Sequence, residues 1–128
     1  MWGRVRNWFD PDEVRQVGST PDYRFSLANE RTFLAWIRTG LALIAAGLGV
    51  AQFLSPLPIP HLREILAILP IAVGAGCALR GIDHWIRCEV AMRTDRPLPP
   101  SRFPALLALV VAVSALLAVV YVIADATR

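Results

Sequence analysis

Three long apolar blocks, roughly Thr32 to Leu54, Leu62 to Trp85 and Phe103 to Ala124, are separated by short polar segments. Each is close to the roughly twenty residues that a helix needs to cross about 30 Å of hydrocarbon. The pattern predicts an all-α membrane protein with three transmembrane helices, at about 26–54, 61–92 and 103–124. These fall in a transmembrane domain over 26–128, preceded by an N-terminal segment over 1–25. Trp2, Val5 and Phe9 stand at helical spacing with Arg4 and Arg6 between them, which suits a short interfacial helix or a tail. Asp10 to Asp22 lacks periodicity and reads as linker.

The first apolar block is unusual because Ser26 to Arg38 carries polar and charged groups directly into it. Thr20 or Ser26 is the expected N-cap. Arg38 then falls inside any helix long enough to span, since Leu41 to Leu54 is apolar apart from Gln52. A charge within hydrocarbon costs a few kcal/mol, and such residues face a bundle interior or an aqueous cavity, or snorkel to the interface. Arg31, Ala35, Arg38, Ala42, Ala45, Gly49 and Gln52 recur at three- and four-residue steps and share one face. That face is polar at its ends and small in the middle, and the Ala45-xxx-Gly49 and Gly40-xxx-Ile44 steps suit close helix packing.

In the second block the apolar run Ile65 to Leu79 gives only about 22 Å of helix, so Arg80 lies within or at the edge of the hydrocarbon. Pro60 is placed to open this helix. Arg80, His84, Arg87 and Ala91 share a face, and Asp83 is within one turn of both Arg80 and Arg87. The helix runs back toward the side from which Arg38 enters, so Arg38 and Arg80 converge in depth. Glu30, Asp83 and Glu89 can neutralise these arginines within one subunit. In a symmetric oligomer the excess arginine instead makes a basic mouth suited to anions. The third block has no charge; Ala105, Ala108, Ala112 and Ala115 form its expected packing face, and Leu106, Leu109, Val113, Leu116 and Val120 a lipid face.

The 128 residues are 55% apolar with a mean hydropathy of +0.50, and the net charge of +3 comes from thirteen arginines with no lysine. Because the arginines flank apolar spans, they point to membrane orientation and not to nucleic acid. Those before the first helix and between the second and third outnumber Arg63 and Arg128, which places the N-terminus in the cytoplasm and the C-terminus outside. No cleavable signal peptide is expected. Cys77 and Cys88, about 16 Å apart along one helix, are expected as reduced thiols.

Ordinary catalysis finds no support. No His-Glu-x-x-His, Gly-x-Ser-x-Gly or Cys-x-x-Cys run occurs, and His61 and His84 fall on opposite sides of the membrane. Cys88 and His84 are too few to hold a metal without neighbours. Gly74, Gly76 and Gly81 read as helix contacts. We therefore expect no enzyme, cofactor or metal.

Leu27-Ala-Asn-Glu-Arg-Thr-Phe-Leu-Ala-Trp-Ile-Arg-Thr-Gly-Leu-Ala-Leu-Ile44 resembles the YidH-type bacterial inner-membrane proteins, the family called domain of unknown function two hundred and two. Trp85-Ile-Arg-Cys-Glu-Val-Ala-Met-Arg93, running into Pro97-Leu-Pro-Pro100, resembles its second cytoplasmic block. The resemblance implies a multi-pass protein of the bacterial inner membrane. It also implies kinship with the transmembrane domain of the vacuolar transporter chaperone complex, whose subunits surround a polyphosphate-conducting pore. Asn29, Glu30 and Arg31 match the shared motif, while the polymerase and regulatory domains of that complex are lacking here. The expected function is a homo-oligomeric assembly handling phosphate-like anions or polyphosphate through Arg31, Arg38, Arg80, Arg87 and His84, with Asn29, Glu30 and Asp83 as compensating groups. Alternatives are a structural or accessory subunit that docks a membrane-protein partner through its surface, and recognition of anionic membrane lipids by the arginines.

Overall fold

The structure, a computed structural model, describes residue 9 and residues 12–56 and 59–128. They form a single turn, α1 (Asp12–Arg15), and three long helices, α2 (Tyr23–Phe53), α3 (Leu62–Arg93) and α4 (Phe103–Ala126). All three long helices are apolar and long enough to cross a membrane, and among the described residues there is no strand. The fold is that of an all-α membrane protein. The interfacial helix expected over the first nine residues lies outside the described residues apart from Phe9.

The local boundaries follow from capping chemistry. α2 begins three residues before the expected Ser26, and its N-cap is neither Thr20 nor Ser26. Asp22 accepts the Arg24 backbone N–H on its side chain, at 3.0 Å, and the Phe25 N–H on its carbonyl. α3 starts at Leu62 and not at Pro60, because His61 takes a positive φ of 63° and the two residues are spent on the turn. At its other end Asp95 is left-handed (φ 50°) and the Arg96 N–H reaches back to the Ala91 carbonyl, the Schellman ending, with Pro97 following.

The chain divides into two compact units, Met1–Arg38 with Cys77–Pro100, and Thr39–Gly76 with Ser101–Arg128. In the first, α2 meets α3 through Asn29, Phe33 and Trp36, and Gly81 gives room for it: a Cβ there would stand 2.9 Å from that of Trp36. α1 and the residues after it strap onto the end of α3. Arg93 donates to the Arg15 carbonyl at 2.8 Å, its own carbonyl accepts the Ser19 N–H at 3.1 Å, and Val14 is buried. Gly18, at φ +63°, lies so close to the Arg93 carbonyl that no side chain fits. The segment that reads as linker is thus anchored.

In the second unit the helices touch backbone to backbone. A Cβ on Gly74 would meet the Gly40 carbonyl at 2.6 Å, and one on Gly47 the Ala67 carbonyl at 2.5 Å. Such contact suits an apolar span, where van der Waals packing replaces hydrophobic burial as the force between helices. Arg63 caps the end of α2 by donating to the Ala51 carbonyl at 2.6 Å. Tyr121 and Arg128 hold the loop after α2 through the Ser55 and Pro56 carbonyls, both at 3.4 Å.

α4 corrects the expected packing. Ala105, Ala108, Ala112 and Ala115 are all exposed, and the half-buried stripe is Phe103, Leu107, Val110, Ser114, Leu117 and Tyr121. At the start of that stripe the Phe103 ring stands 3.9 Å from where a Cβ on Gly76 would be. Complementary volume sets the seam, and an alanine stripe alone leaves the gap unfilled. The expected lipid face, Leu106 to Val120, is exposed.

Candidate functional site

Helical geometry alone assembles the polar cluster on α3. Arg80, Asp83 and Arg87 sit three and four residues apart, so their side chains meet over one turn. One carboxylate oxygen, Oδ2 of Asp83, accepts both guanidinium groups at 3.0 Å. The side chains are 28%, 17% and 39% exposed for Arg80, Asp83 and Arg87, and two cations on one anion leave a net charge of +1. His84 lies beside this cluster; its ring is tilted 55° against that of Trp36 on α2, with centroids 6.2 Å apart, and its Nε2 is 3.4 Å from Sγ of Cys88. Cys77 and Cys88 are free and buried. Among the described residues no three His, Cys, Asp or Glu side chains group as a metal site.

The α2 residues part company. Asn29, 8% exposed, turns inward and donates its amide to the Trp85 carbonyl on α3 at 3.0 Å. It is therefore a tie between helices. Arg31 is two residues from Asn29, and Arg38 two from both Trp36 and Gly40, about 200° around the helix from each. Arg31 and Arg38 are accordingly exposed, as is Glu30, and none of the three has an ion-pair partner among the described residues. Arg38 is exposed on α2, whereas Arg80 on α3 is half-buried and engaged with Asp83. The stripe of Ala35, Ala42 and Ala45 is exposed too, and a Cβ on Gly49 would meet nothing within 4 Å. α2 packs through Asn29 and Trp36 in one unit and Gly40 and Gly47 in the other, so the small-residue stripe looks away from α3.

Two features escape the sequence pattern. Glu89, expected to compensate the other arginines, pairs with Arg93 at 3.1 Å, with the two side chains only 10% and 11% exposed. That pair holds the strap. The second is a groove between α2 and α3 lined by Glu30, Phe33, Leu34, Ile82 and Trp85. The isolated Gly18 in a polar segment was the available signal for the first; nothing in the spacing marks the second.

A family model described as a domain of unknown function, DUF202, matches residues 24–91, more than half of the chain. This chain belongs to the DUF202 family. The inner membrane protein YidH of Escherichia coli K12 is 44% identical over 105 residues, covering 82% of this chain and 91% of that protein. An uncharacterised protein of Mycobacterium tuberculosis is 41% identical over 106 residues, covering 83% of this chain and 87% of its own. No solved structure matches. With three helices able to span, this DUF202 protein is a multi-pass protein of the inner membrane. The DUF202 match runs from Arg24 to Ala91, so it takes in the α3 cluster and the α2 arginines but ends short of Arg93 and α4.

Proposed function

We propose that copies of this protein assemble in the membrane through the outward face of α2, and that the assembly handles phosphate-like anions, polyphosphate among them. The observation that carries the reading is that face. A helix side that meets lipid gains from large apolar residues, yet Arg31, Ala35, Arg38, Ala42, Ala45 and Gln52 are exposed there. The Arg38 guanidinium group and a run of small residues in hydrocarbon, with Arg31 at its edge, are costly against lipid and favourable against another helix or an aqueous path. Repeated about an axis, Arg31 and Arg38 form a basic lining, and the +1 charge of the Arg80–Asp83–Arg87 cluster adds to the local field. Guanidinium groups suit phosphate oxygens because their planar donors bind two at once. In this reading the N-terminus is cytoplasmic, the C-terminus lies outside, and no chemistry is catalysed.

The test is flux of inorganic phosphate and short-chain polyphosphate from liposomes holding the purified protein. Wild type is expected to release them, Arg38→Ala to change rate or selectivity with the oligomer intact, and Ala45→Leu to break the oligomer and abolish release. A well-folded oligomer with no flux above empty liposomes overturns the conducting reading. It favours the second, a non-conducting accessory subunit that docks a membrane partner. The internal neutralisation of Arg80 and Arg87 by Asp83 supports that alternative.

A further inference from the structure

The groove between α2 and α3 in the first unit has a volume of about 320 Å³. Four of its walls, Phe33, Leu34, Ile82 and Trp85, are apolar or aromatic, and the fifth, Glu30, is a carboxylate. Its depth follows from the helix: Phe33 to Phe53 covers about 31 Å, the hydrocarbon thickness, so Glu30, about one turn earlier, stands at headgroup level. Tryptophan collects at that level in membrane proteins because its ring is apolar and its N–H is not.

The groove is fixed from behind. Asn29, adjacent to Glu30, ties α2 to the Trp85 carbonyl, and the bare Gly81 draws α3 against Trp36. Glu30 is left at the mouth. In a chain with thirteen arginines it makes no ion pair or hydrogen bond to a described residue, and neither does the indole N–H of Trp85.

We propose that this groove binds the headgroup end of a phospholipid carrying a primary amine. The ammonium group donates to the Glu30 carboxylate, a phosphodiester oxygen accepts the Trp85 N–H, and the start of an acyl chain lies along Phe33, Leu34 and Ile82. The volume is at the small end of ligand sites, enough for a headgroup and a few methylenes, with the remaining chain in the bilayer. Charge selects the class. An anionic headgroup meets a carboxylate, and a quaternary ammonium has no N–H to donate, whereas a primary ammonium donates up to three charge-assisted hydrogen bonds. The proposal does not rest on the anion reading, because it uses Glu30 and none of the arginines.

The experiment is native mass spectrometry of the full-length protein in mild detergent with equimolar dioleoyl phosphatidylethanolamine, phosphatidylcholine and phosphatidylglycerol. Wild type is expected to retain phosphatidylethanolamine about tenfold over the other two, the ratio that one charge-assisted contact supports. Glu30→Gln, an exposed helix position, is expected to keep the fold and oligomer and lose the preference; Trp85→Phe is expected to weaken retention of every phospholipid. Equal retention by wild type, or a preference that survives Glu30→Gln, overturns the proposal. So does competition by water-soluble phosphoethanolamine, which assigns the groove to a free metabolite. A change of oligomeric state in Glu30→Gln overturns it as well, because a second copy then covers the groove.

Discussion

The two units join the same pair of helices by different means. In the first, α2 and α3 are linked by a side-chain amide on a carbonyl, Asn29 to Trp85, and α3 is tied to the strap through Arg93 and Glu89. In the second, bare glycine faces let backbones touch, Gly40 against Gly74 and Gly47 against Ala67. Directional polar ties suit a region that water and headgroups reach. Where only hydrocarbon surrounds the helices, an unpaired polar group is costly and shape does the joining. The difference predicts that the second unit is sensitive to added volume and the first to lost donors.

The largest effects are expected from adding one methyl group in the second unit. Gly47→Ala places a Cβ 2.5 Å from the Ala67 carbonyl, and moving a backbone to relieve it costs about 3 kcal/mol. Thermal unfolding in detergent should register this as a marked fall. Arg93→Ala should follow closely in the first unit, because it leaves the nearly buried Glu89 carboxylate unpaired, a loss of about 3 kcal/mol. Limited proteolysis between Arg15 and Asp22 should accelerate in the same variant, since the strap loses the side-chain bond to the Arg15 carbonyl and keeps only the backbone bond from Ser19 to residue 93. Gly18→Ala should speed that cleavage too while leaving the unfolding of α2 to α4 nearly unchanged.

Smaller still is Asn29→Ala, expected to cost about 1 kcal/mol because the Trp85 carbonyl keeps its helical partner and loses only the added donor. At the bottom is Gly49→Ala, whose Cβ meets nothing within 4 Å; its effect on unfolding should be within about 0.5 kcal/mol, or slightly stabilising. A Gly49→Ala loss equal to that of Gly47→Ala would mean that the outward face is packed as closely as the face against α3. With the oligomer broken, that loss would assign the contact to a second copy; with the oligomeric state unchanged, it would count against assembly through this face.

Much of the fold was legible in the residues because it depends on local quantities. Apolar runs near twenty residues give spanning helices wherever the chain folds in lipid, and a three- and four-residue spacing brings Asp83 to Arg80 and Arg87 with no help from the rest of the molecule. The DUF202 membership was carried by the run from Leu27 to Ile44 and follows the same logic. What the spacing left open was direction. The stripe of Arg31, Ala35, Arg38 and Ala42 is a face in any helix, but periodicity does not say whether it looks toward α3 or away. Tertiary structure decided that by volume, seating Gly40 on Gly74 and Gly47 on Ala67 and so turning Arg38 outward. It also chose the large stripe of α4 over the alanine one and assigned Glu89 to Arg93. Packing and pairing of that kind depend on which surfaces arrive opposite each other, a property of two segments together that neither carries alone.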